Sequence, residues 1–147
     1  MIRSLLMGVV AGARSMTPLA AVTAAARDGQ LPDRQTHRLL GSSVAATGAK
    51  AMAVAELAGD KMKSAPDRII APGVAARLMS GAIAGAAVAP RGGRLAGGAA
   101  GAAAAFVSGY ATFALRMRAL RRYGQTKSGL VEDTIAVSAA RLIASKR

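Results

Sequence analysis

The sequence predicts an all-α protein: a polytopic transmembrane helical bundle of four to five membrane segments, with a broken first helix and a glycine-rich helical hairpin. Apolar residues make up 52% of the 147 residues, yet 54 residues are alanine or glycine and only 3% are aromatic. Burial stabilises a soluble core by roughly 25 cal/mol per Å² of apolar surface, and small residues supply little of that surface. Charged residues form short clusters between apolar stretches, which is typical of membrane segments and their loops.

Five apolar stretches follow one another in a single integral membrane domain, residues 1–147. Four of them hold 21 or 22 residues. As helices, these four would each span about 32 Å, close to the ~30 Å hydrocarbon core of a bilayer. Helices that are apolar on all sides belong in large cores or in membranes, and this chain is too short for a large core. The stretches are Leu5–Ala26, Leu39–Gly59, Ile69–Pro90, Leu95–Leu115 and Leu130–Ser145.

The composition also excludes several classes of protein. A net charge of +13 can indicate nucleic-acid binding, but the basic residues lie at the ends of the apolar stretches and the few aromatic residues form no stacking platform. One histidine and no cysteine exclude histidine triads, thiol catalysis and the common nitrogen and sulfur metal sites. We therefore expect no nucleic-acid partner, no enzyme activity, no metal and no cofactor.

The first stretch contains signals for a break near its middle. Pro18 removes a backbone donor and disfavours helical structure at Thr17, and Gly12 adds flexibility. Arg14 lies within this break. Broken helices beside a buried charge form ion and substrate sites in many transporters. The alternative is a proline kink from which Arg14 extends to the lipid headgroups.

The second and third stretches each carry a charge that needs a partner in an apolar environment. Glu56 lies about one turn before the end of the second stretch. Arg77 lies on a row of small residues that continues through Gly81 and Gly85, so we expect it to face the interior of the bundle. These positions suggest a Glu56–Arg77 ion pair.

The third and fourth stretches predict a helical hairpin that turns at Pro90–Gly93. Small residues recur at every fourth position on both helices, a pattern resembling a glycine zipper. In lipid such rows allow the backbones of two helices to approach closely. The small residues either pack the two helices of the hairpin together or form an interface between copies of the chain. The glycines that we assign to helix packing are Gly81, Gly85, Gly97, Gly101 and Gly109.

The last stretch is short and polar for a transmembrane helix, since it carries Glu132, Asp133 and Arg141 in 16 residues. We expect four spans, a C-terminal half-helix and both termini in the cytoplasm. The alternative is five spans, which leaves nine basic residues on one side and eight on the other, a balance compatible with insertion in both orientations. Glu132 and Asp133 complement the dipole at the start of this helix, or one of them neutralises Arg14.

The chain resembles an uncharacterised family of small bacterial integral membrane proteins, a domain of unknown function. The likeness lies in Gly12-Ala13-Arg14 with Pro18, in Glu56-Leu57 with Asp60, in Pro66-Asp67 with Pro72, in the glycine-rich fourth helix, and in Gly129-Leu130. The resemblance covers most of the chain. It implies a helical fold and a location in the bacterial inner (cytoplasmic) membrane, and it assigns no activity.

The leading hypothesis is a small membrane protein that forms oligomers and transports or conducts a small solute or ion. The alternative is a structural or accessory membrane protein whose buried charges only hold its helices together. Both require membrane lipids around the protein, and both favour association with further copies of the chain. The residues assigned to the polar membrane centre are Arg14, Thr17, Pro18, Glu56, Arg77, Glu132 and Asp133.

Overall fold

The computed structural model describes residues 1–59, 71–123 and 125–145, and in these ranges it consists of helices and their connections, without a strand. The all-α class is therefore confirmed. Asp60, Pro66 and Asp67, which contribute to the resemblance, lie outside the described residues. The helices are α1 (Ile2–Ala13), α2 (Thr17–Arg27), α3 (Arg34–Leu40), α4 (Ser43–Gly59), α5 (Ala71–Ala87), α6 (Arg94–Tyr123) and α7 (Gln125–Ser145).

Within the described ranges, one helix is long and apolar enough to cross a membrane by length and composition: the 26 residues Arg94–Ala119 of α6. The first apolar stretch is divided into two shorter helices, and all but the first residues of the second stretch form α4; α4 and α5 hold 17 residues each. Helix length and hydropathy thus do not support the predicted four to five spans. The last stretch forms a 21-residue helix, longer than the predicted half-helix.

The break in the first stretch is present where the sequence predicts it. Arg14 has an extended backbone (φ −142°, ψ 108°) and its N–H closes α1 on the carbonyl of Val10 at 2.8 Å. The next helix, α2, begins at Thr17 with Pro18 in its first turn. Thr17 is helical despite the following proline, because the first turn of a helix has no internal partner for the N–H that proline lacks.

The chain reverses direction at this break, so that α1 and α2 form a helical hairpin rather than one kinked span. At the start of α1, the guanidinium of Arg3 donates to the carbonyl of Ile143 at the end of α7, with Nη2···O 2.8 Å. After α2, Pro32 accepts a hydrogen bond from Nε of Arg91 at 3.1 Å, just before α6. Ser4 lies against Gly97 in the first turns of α6. Both ends of the hairpin therefore lie at one end of the bundle.

We call the end that holds Arg3, Pro32 and Arg94 the proximal end, and the end of α6 that holds Arg116 the distal end. The sequence predicts that the first stretch spans the membrane, which would place the N-terminus and the cluster Arg27–Arg38 at opposite ends of the bundle. In the structure both lie at the same end. A proline break fixes where a helix stops but not the direction of the next one. Here that direction follows from contacts between distant segments, α1 with α7 and the loop after α2 with the α5–α6 turn.

Three helices, α1, α5 and α6, pack most closely, with glycine at their contacts. A Cβ on Gly81 would lie 2.7 Å from the carbonyl oxygen of Gly101, and one on Gly85 would lie 3.0 Å from Gly101 Cα. The predicted packing of the α5–α6 hairpin through these glycines is present. Gly8 and Gly12 of α1 pack in the same way against Gly101 and Ser108 of α6, which was not predicted.

Large apolar side chains lie mainly on the outside of the bundle, and small or polar ones inside. Leu95 is 92% exposed, Val44 84% and Ile2 75%, whereas Arg14 is 1% exposed. The buried core consists largely of alanine, with a few larger side chains such as Met7 and Val22. This distribution is the reverse of the one expected in a soluble helical protein.

The loops at the proximal end are held by side-chain contacts. Asp33 caps α3 by accepting hydrogen bonds from the N–H and the hydroxyl of Thr36, at 3.2 and 3.0 Å. Arg94 at the start of α6 lies 3.4 Å from Asp33 Oδ2. The turn between α5 and α6 places Gly92 at φ 80°, a conformation that favours glycine.

Candidate functional site

The tip of the α1–α2 hairpin (residues 14–16) interrupts a helix inside the bundle, and the interruption frees backbone groups that need partners. The carboxylate of Glu56, on α4, satisfies the donors at the start of α2. Its Oε1 accepts from the N–H of Ser15 at 2.8 Å and from the Ser15 hydroxyl at 2.7 Å, and its Oε2 accepts from the N–H of Met16 at 2.8 Å. A carboxylate is well suited to this place, because the N-terminus of a helix favours negative charge.

Hydroxyl groups of α6 satisfy carbonyls at the other side of the tip. Thr112 Oγ1 donates at 3.3 Å to the carbonyl of Gly12, and Ser108 Oγ lies 3.2 Å from the carbonyl of Val9. Both hydroxyls also contact carbonyls of their own helix, as Ser and Thr do in apolar helices. Two helices, α4 and α6, thus supply the polar groups that the interrupted backbone requires.

Arg14 connects the tip to α7. Its Nη2 donates a hydrogen bond to Oδ1 of Asp133 and lies 3.8 Å from Oε2 of Glu132. The same Glu132 oxygen accepts a hydrogen bond from Nη1 of Arg116 at 3.2 Å. Of the two sequence hypotheses for Glu132 and Asp133, the structure therefore shows the neutralisation of Arg14.

Arg77 lies inside the bundle, as predicted, and is 7% exposed. A Cβ on Gly109 would lie 3.6 Å from Arg77 Cδ and 3.8 Å from the carbonyl oxygen of Gly12, so the side chain of Arg77 passes close to the tip. The Glu56 carboxylate, however, binds Ser15 and Met16, so the expected Glu56–Arg77 pair is wrong. The prediction considered only charged partners for Glu56 and not the N–H groups that the break frees. A cleft beside Arg77 is lined by Val74, Ala105, Phe106, Gly109 and Tyr110.

The remaining predicted residues, Thr17 and Pro18, are buried at the start of α2. Within the described part of the chain, the Thr17 hydroxyl has no hydrogen-bond partner, and the same holds for the buried hydroxyls of Ser4 and Ser80. A buried hydroxyl without a partner costs free energy. Thr17 thus adds an available polar group next to the tip.

The tip lies beyond the midpoint of α6, toward the distal end. Gly12 contacts α6 at Ser108, Gly109 and Thr112, which follow Arg94 by 14 to 18 residues. At 1.5 Å per residue, the tip lies about 21 to 27 Å from the proximal end of α6. The expected polar centre is therefore displaced toward the distal end, and about 6 to 12 Å of α6 separate it from Arg116.

Most residues of the site were predicted from the sequence, but several residues that bind them were not. Ser15 belongs to the site through its N–H and hydroxyl, and Arg116, which follows the fourth apolar stretch, binds Glu132. Ser108 and Thr112 are two of the few polar residues in the apolar stretch Leu95–Leu115, and that isolation is the signal that could have identified them. The pairing of Arg116 has no local signal, since it depends on how α6 and α7 pack.

The site contains equal numbers of positively and negatively charged side chains. Three arginines (Arg14, Arg77 and Arg116) and three carboxylates (Glu56, Glu132 and Asp133) lie in or beside the tip, so their formal charges cancel. Among the described residues, no group of three or more His, Asp or Glu side chains is arranged to hold a metal ion. The arrangement can hold a small charged or polar solute if one of the internal pairs gives way to it.

Comparisons of the chain with models of known protein families, with curated proteins and with solved structures found no match. The site therefore has to be interpreted from its own residues.

Proposed function

We propose that the protein is an integral membrane protein of the bacterial inner membrane, as the resemblance to the uncharacterised family implies. The observation that carries this proposal is the reversed distribution of side chains. Exposed Leu95, Val44 and Ile2 suit a lipid environment, while buried Arg14 and Asp133 suit an interior that excludes lipid. A soluble protein with this surface would expose large apolar patches to water.

In this proposal α4, α5, α6 and α7 cross the bilayer and the α1–α2 hairpin enters it from the proximal side and returns. The 17 residues of α4 and α5 are each about 26 Å long, at the lower limit of the 17–25 residues that spanning helices use. Non-helical backbone at membrane depth is tolerated where protein groups satisfy it. The contacts of Glu56 with Ser15 and Met16 and of Thr112 with Gly12 supply such groups at the tip.

We further propose that the tip of the hairpin is the binding site of a transported small solute or ion. Discontinuous helices form the substrate and ion sites of many transporters, because their free ends carry partial charges at membrane depth. Here the start of α2, Arg14 and three carboxylates combine such helix ends with exchangeable ion pairs. The balanced charge of the site allows it to stay buried between transport events.

Flux measurements in liposomes test the transport proposal. Purified protein would be reconstituted and assayed with H⁺, Na⁺, K⁺, Cl⁻ and small carboxylates, using wild type, Glu56→Gln, Arg14→Ala and the exposed control Arg118→Gln. We expect flux of one solute in wild type and control, and its loss in the two site variants at a temperature at which both, although less stable, are folded by circular dichroism. Equal flux in all four proteins, or none in any, would overturn the transport role.

A structural or accessory role is the second candidate, and one observation favours it. Each of the three carboxylates at the tip already has protein donors, so the geometry also fits a device that only holds helices together. This candidate predicts that Glu56→Gln and Arg14→Ala lower thermal stability or accumulation in the membrane and change no flux. The same reconstitution experiment therefore separates the two roles.

A further inference from the structure

The cleft beside Arg77 lies between α5 and α6 and opens to the outside of the bundle. Its other lining residues are Val74, Ala105, Phe106, Gly109 and Tyr110. Phe106 and Tyr110 are 45% and 47% exposed, and their rings pack edge to face with centroids 5.2 Å apart. Since both rings are half exposed, the cleft faces the surroundings of the protein, which are lipid in the proposed membrane location.

The charge on the wall of this cleft is positive. Among the described residues that line it, Arg77 is the one charged side chain, and none is a carboxylate. Arg77 is 7% exposed, and a Cβ on Gly109 would lie 3.6 Å from its Cδ, so the glycine leaves room for the arginine side chain beside α6. A cation on the wall of an otherwise apolar cleft attracts a ligand that has both an anionic and an apolar part.

The position of Arg77 along the bundle suits a lipid headgroup. Because the α5–α6 turn is at the proximal end, α5 begins at the distal end, and Arg77 follows its first residue, Ala71, by about 9 Å. Tyr110 precedes Arg116 by the same distance on α6. Side chains on a helix lean toward its N-terminus, so the Arg77 side chain leans toward the distal end. Arginine reaches headgroups from within the hydrocarbon region, and tyrosine favours the boundary between the two.

The volume of the cleft favours a lipid over a water-soluble solute. It is about 220 Å³, whereas pockets that enclose a small molecule hold roughly 300–1,000 Å³. The cleft therefore takes one segment of a larger molecule, and the remainder of that molecule lies outside it. A phospholipid meets this condition, because most of its acyl chains stay in the bilayer. Basic pockets between transmembrane helices are known to bind anionic headgroups.

We propose that the cleft between α5 and α6 binds an anionic phospholipid of the distal leaflet. The guanidinium of Arg77 donates hydrogen bonds to the lipid phosphate, a geometry that arginine suits because its donors match two phosphate oxygens. An acyl chain lies along Phe106 and Val74. A lipid with its own ammonium group competes with Arg77 for the phosphate and binds less tightly. The inference rests on the proposed membrane location, and it does not require that the protein transports a solute.

Native mass spectrometry of the full chain in detergent micelles tests this site. Phosphatidylglycerol and phosphatidylethanolamine with identical acyl chains would be titrated onto wild type, two cleft variants and two controls. Arg77→Gln removes the charge, whereas Val74→Phe fills the cleft and keeps the charge. The controls Met79→Phe and Arg118→Gln change exposed residues outside the cleft. We expect wild type and controls to hold one phosphatidylglycerol in preference to phosphatidylethanolamine, and each cleft variant to bind phosphatidylglycerol about five- to tenfold more weakly.

Several outcomes would overturn the inference. They are equal affinity of wild type for the two lipids, unchanged phosphatidylglycerol binding in Val74→Phe, and an equal loss in Arg118→Gln. Glycerol 3-phosphate, which has no acyl chains, should not bind; binding as tight as that of phosphatidylglycerol would assign the cleft to a water-soluble anion. Extraction with carbonate separates these failures from that of the proposed function. Protein released into the supernatant contradicts the membrane location, whereas retained protein without a lipid preference contradicts only the lipid site.

Discussion

Arg14 at the tip of the α1–α2 hairpin donates a hydrogen bond to Asp133 of α7, across 119 positions of the chain. The guanidinium is 1% exposed and the carboxylate 11%. This contact joins the N-terminal hairpin to the C-terminal helix, and both side chains are largely buried. It also explains how an arginine is kept in the middle of an apolar stretch, since its charge is neutralised there.

Removing either partner of this pair should destabilise the protein strongly. Breaking a buried ion pair leaves one uncompensated charge and costs about 3–5 kcal/mol. We expect Arg14→Met and Asp133→Leu each to lower the thermal unfolding temperature in detergent. The double variant should lose less than the sum of the two, because it leaves no unpaired charge between them. Strictly additive losses would show that the two side chains do not interact.

Glu56 should protect the amides just before α2 from exchange with water. Its carboxylate holds the N–H groups of Ser15 and Met16, and hydrogen bonds to charged groups contribute about 1.5–3 kcal/mol. We expect Glu56→Leu to accelerate hydrogen–deuterium exchange over residues 14–20, and Glu56→Gln to do so less, since one oxygen still accepts. Ser15→Ala, which removes the hydroxyl donor alone, should have the smallest effect. Unchanged exchange in Glu56→Leu would contradict the capping role.

The sequence predicted the local features of this site better than its connections. Gly12 and Pro18 indicated the break, because they act on their own backbone, and Arg14 marked it as polar. The direction of α2 after the break could not be predicted, because it depends on Arg3 reaching the end of α7 and on Arg91 reaching Pro32. A single sequence carries no local signal for either contact.

The partner of Glu56 was likewise not predicted, because it depends on a contact between distant segments. The expectation that Glu56 meets Arg77 considered only charged partners, whereas the donors that Glu56 binds are two backbone N–H groups and a hydroxyl. Those backbone donors exist because the helix is broken. Combining the predicted break with the buried carboxylate would have identified this partner from the sequence.

Glycines of α4 and α6 should respond oppositely to alanine. A Cβ at Gly101 would collide with the carbonyl of Gly81 and lie 3.1 Å from Gly85 Cα, whereas a Cβ at Gly48 meets nothing within 4 Å. Overpacking costs about 1–3 kcal/mol, while Gly→Ala in an open helical position gains roughly 0.5–1 kcal/mol. We expect Gly101→Ala to unfold at a lower temperature than wild type, and Gly48→Ala at the same or a higher one. Equal shifts for the two would contradict the close contact of α5 with α6.

The cap of α3 should make the proximal loop sensitive to acid. The hydroxyl of Thr36 donates to Asp33, and this hydrogen bond holds the pKa of the carboxyl below its usual range, with smaller contributions from the Thr36 N–H and from Arg94. A carboxyl with a lowered folded pKa contributes stability above its unfolded pKa of about 3.9, and that contribution is lost as the pH falls through the folded pKa. We expect an NMR titration of Asp33 to show a midpoint below 3.9. Thr36→Val should raise this midpoint, since it keeps the shape and removes the donor, whereas Thr36→Ser should retain it. A midpoint that Thr36→Val leaves unchanged would assign the lowered pKa to the backbone and to Arg94 instead.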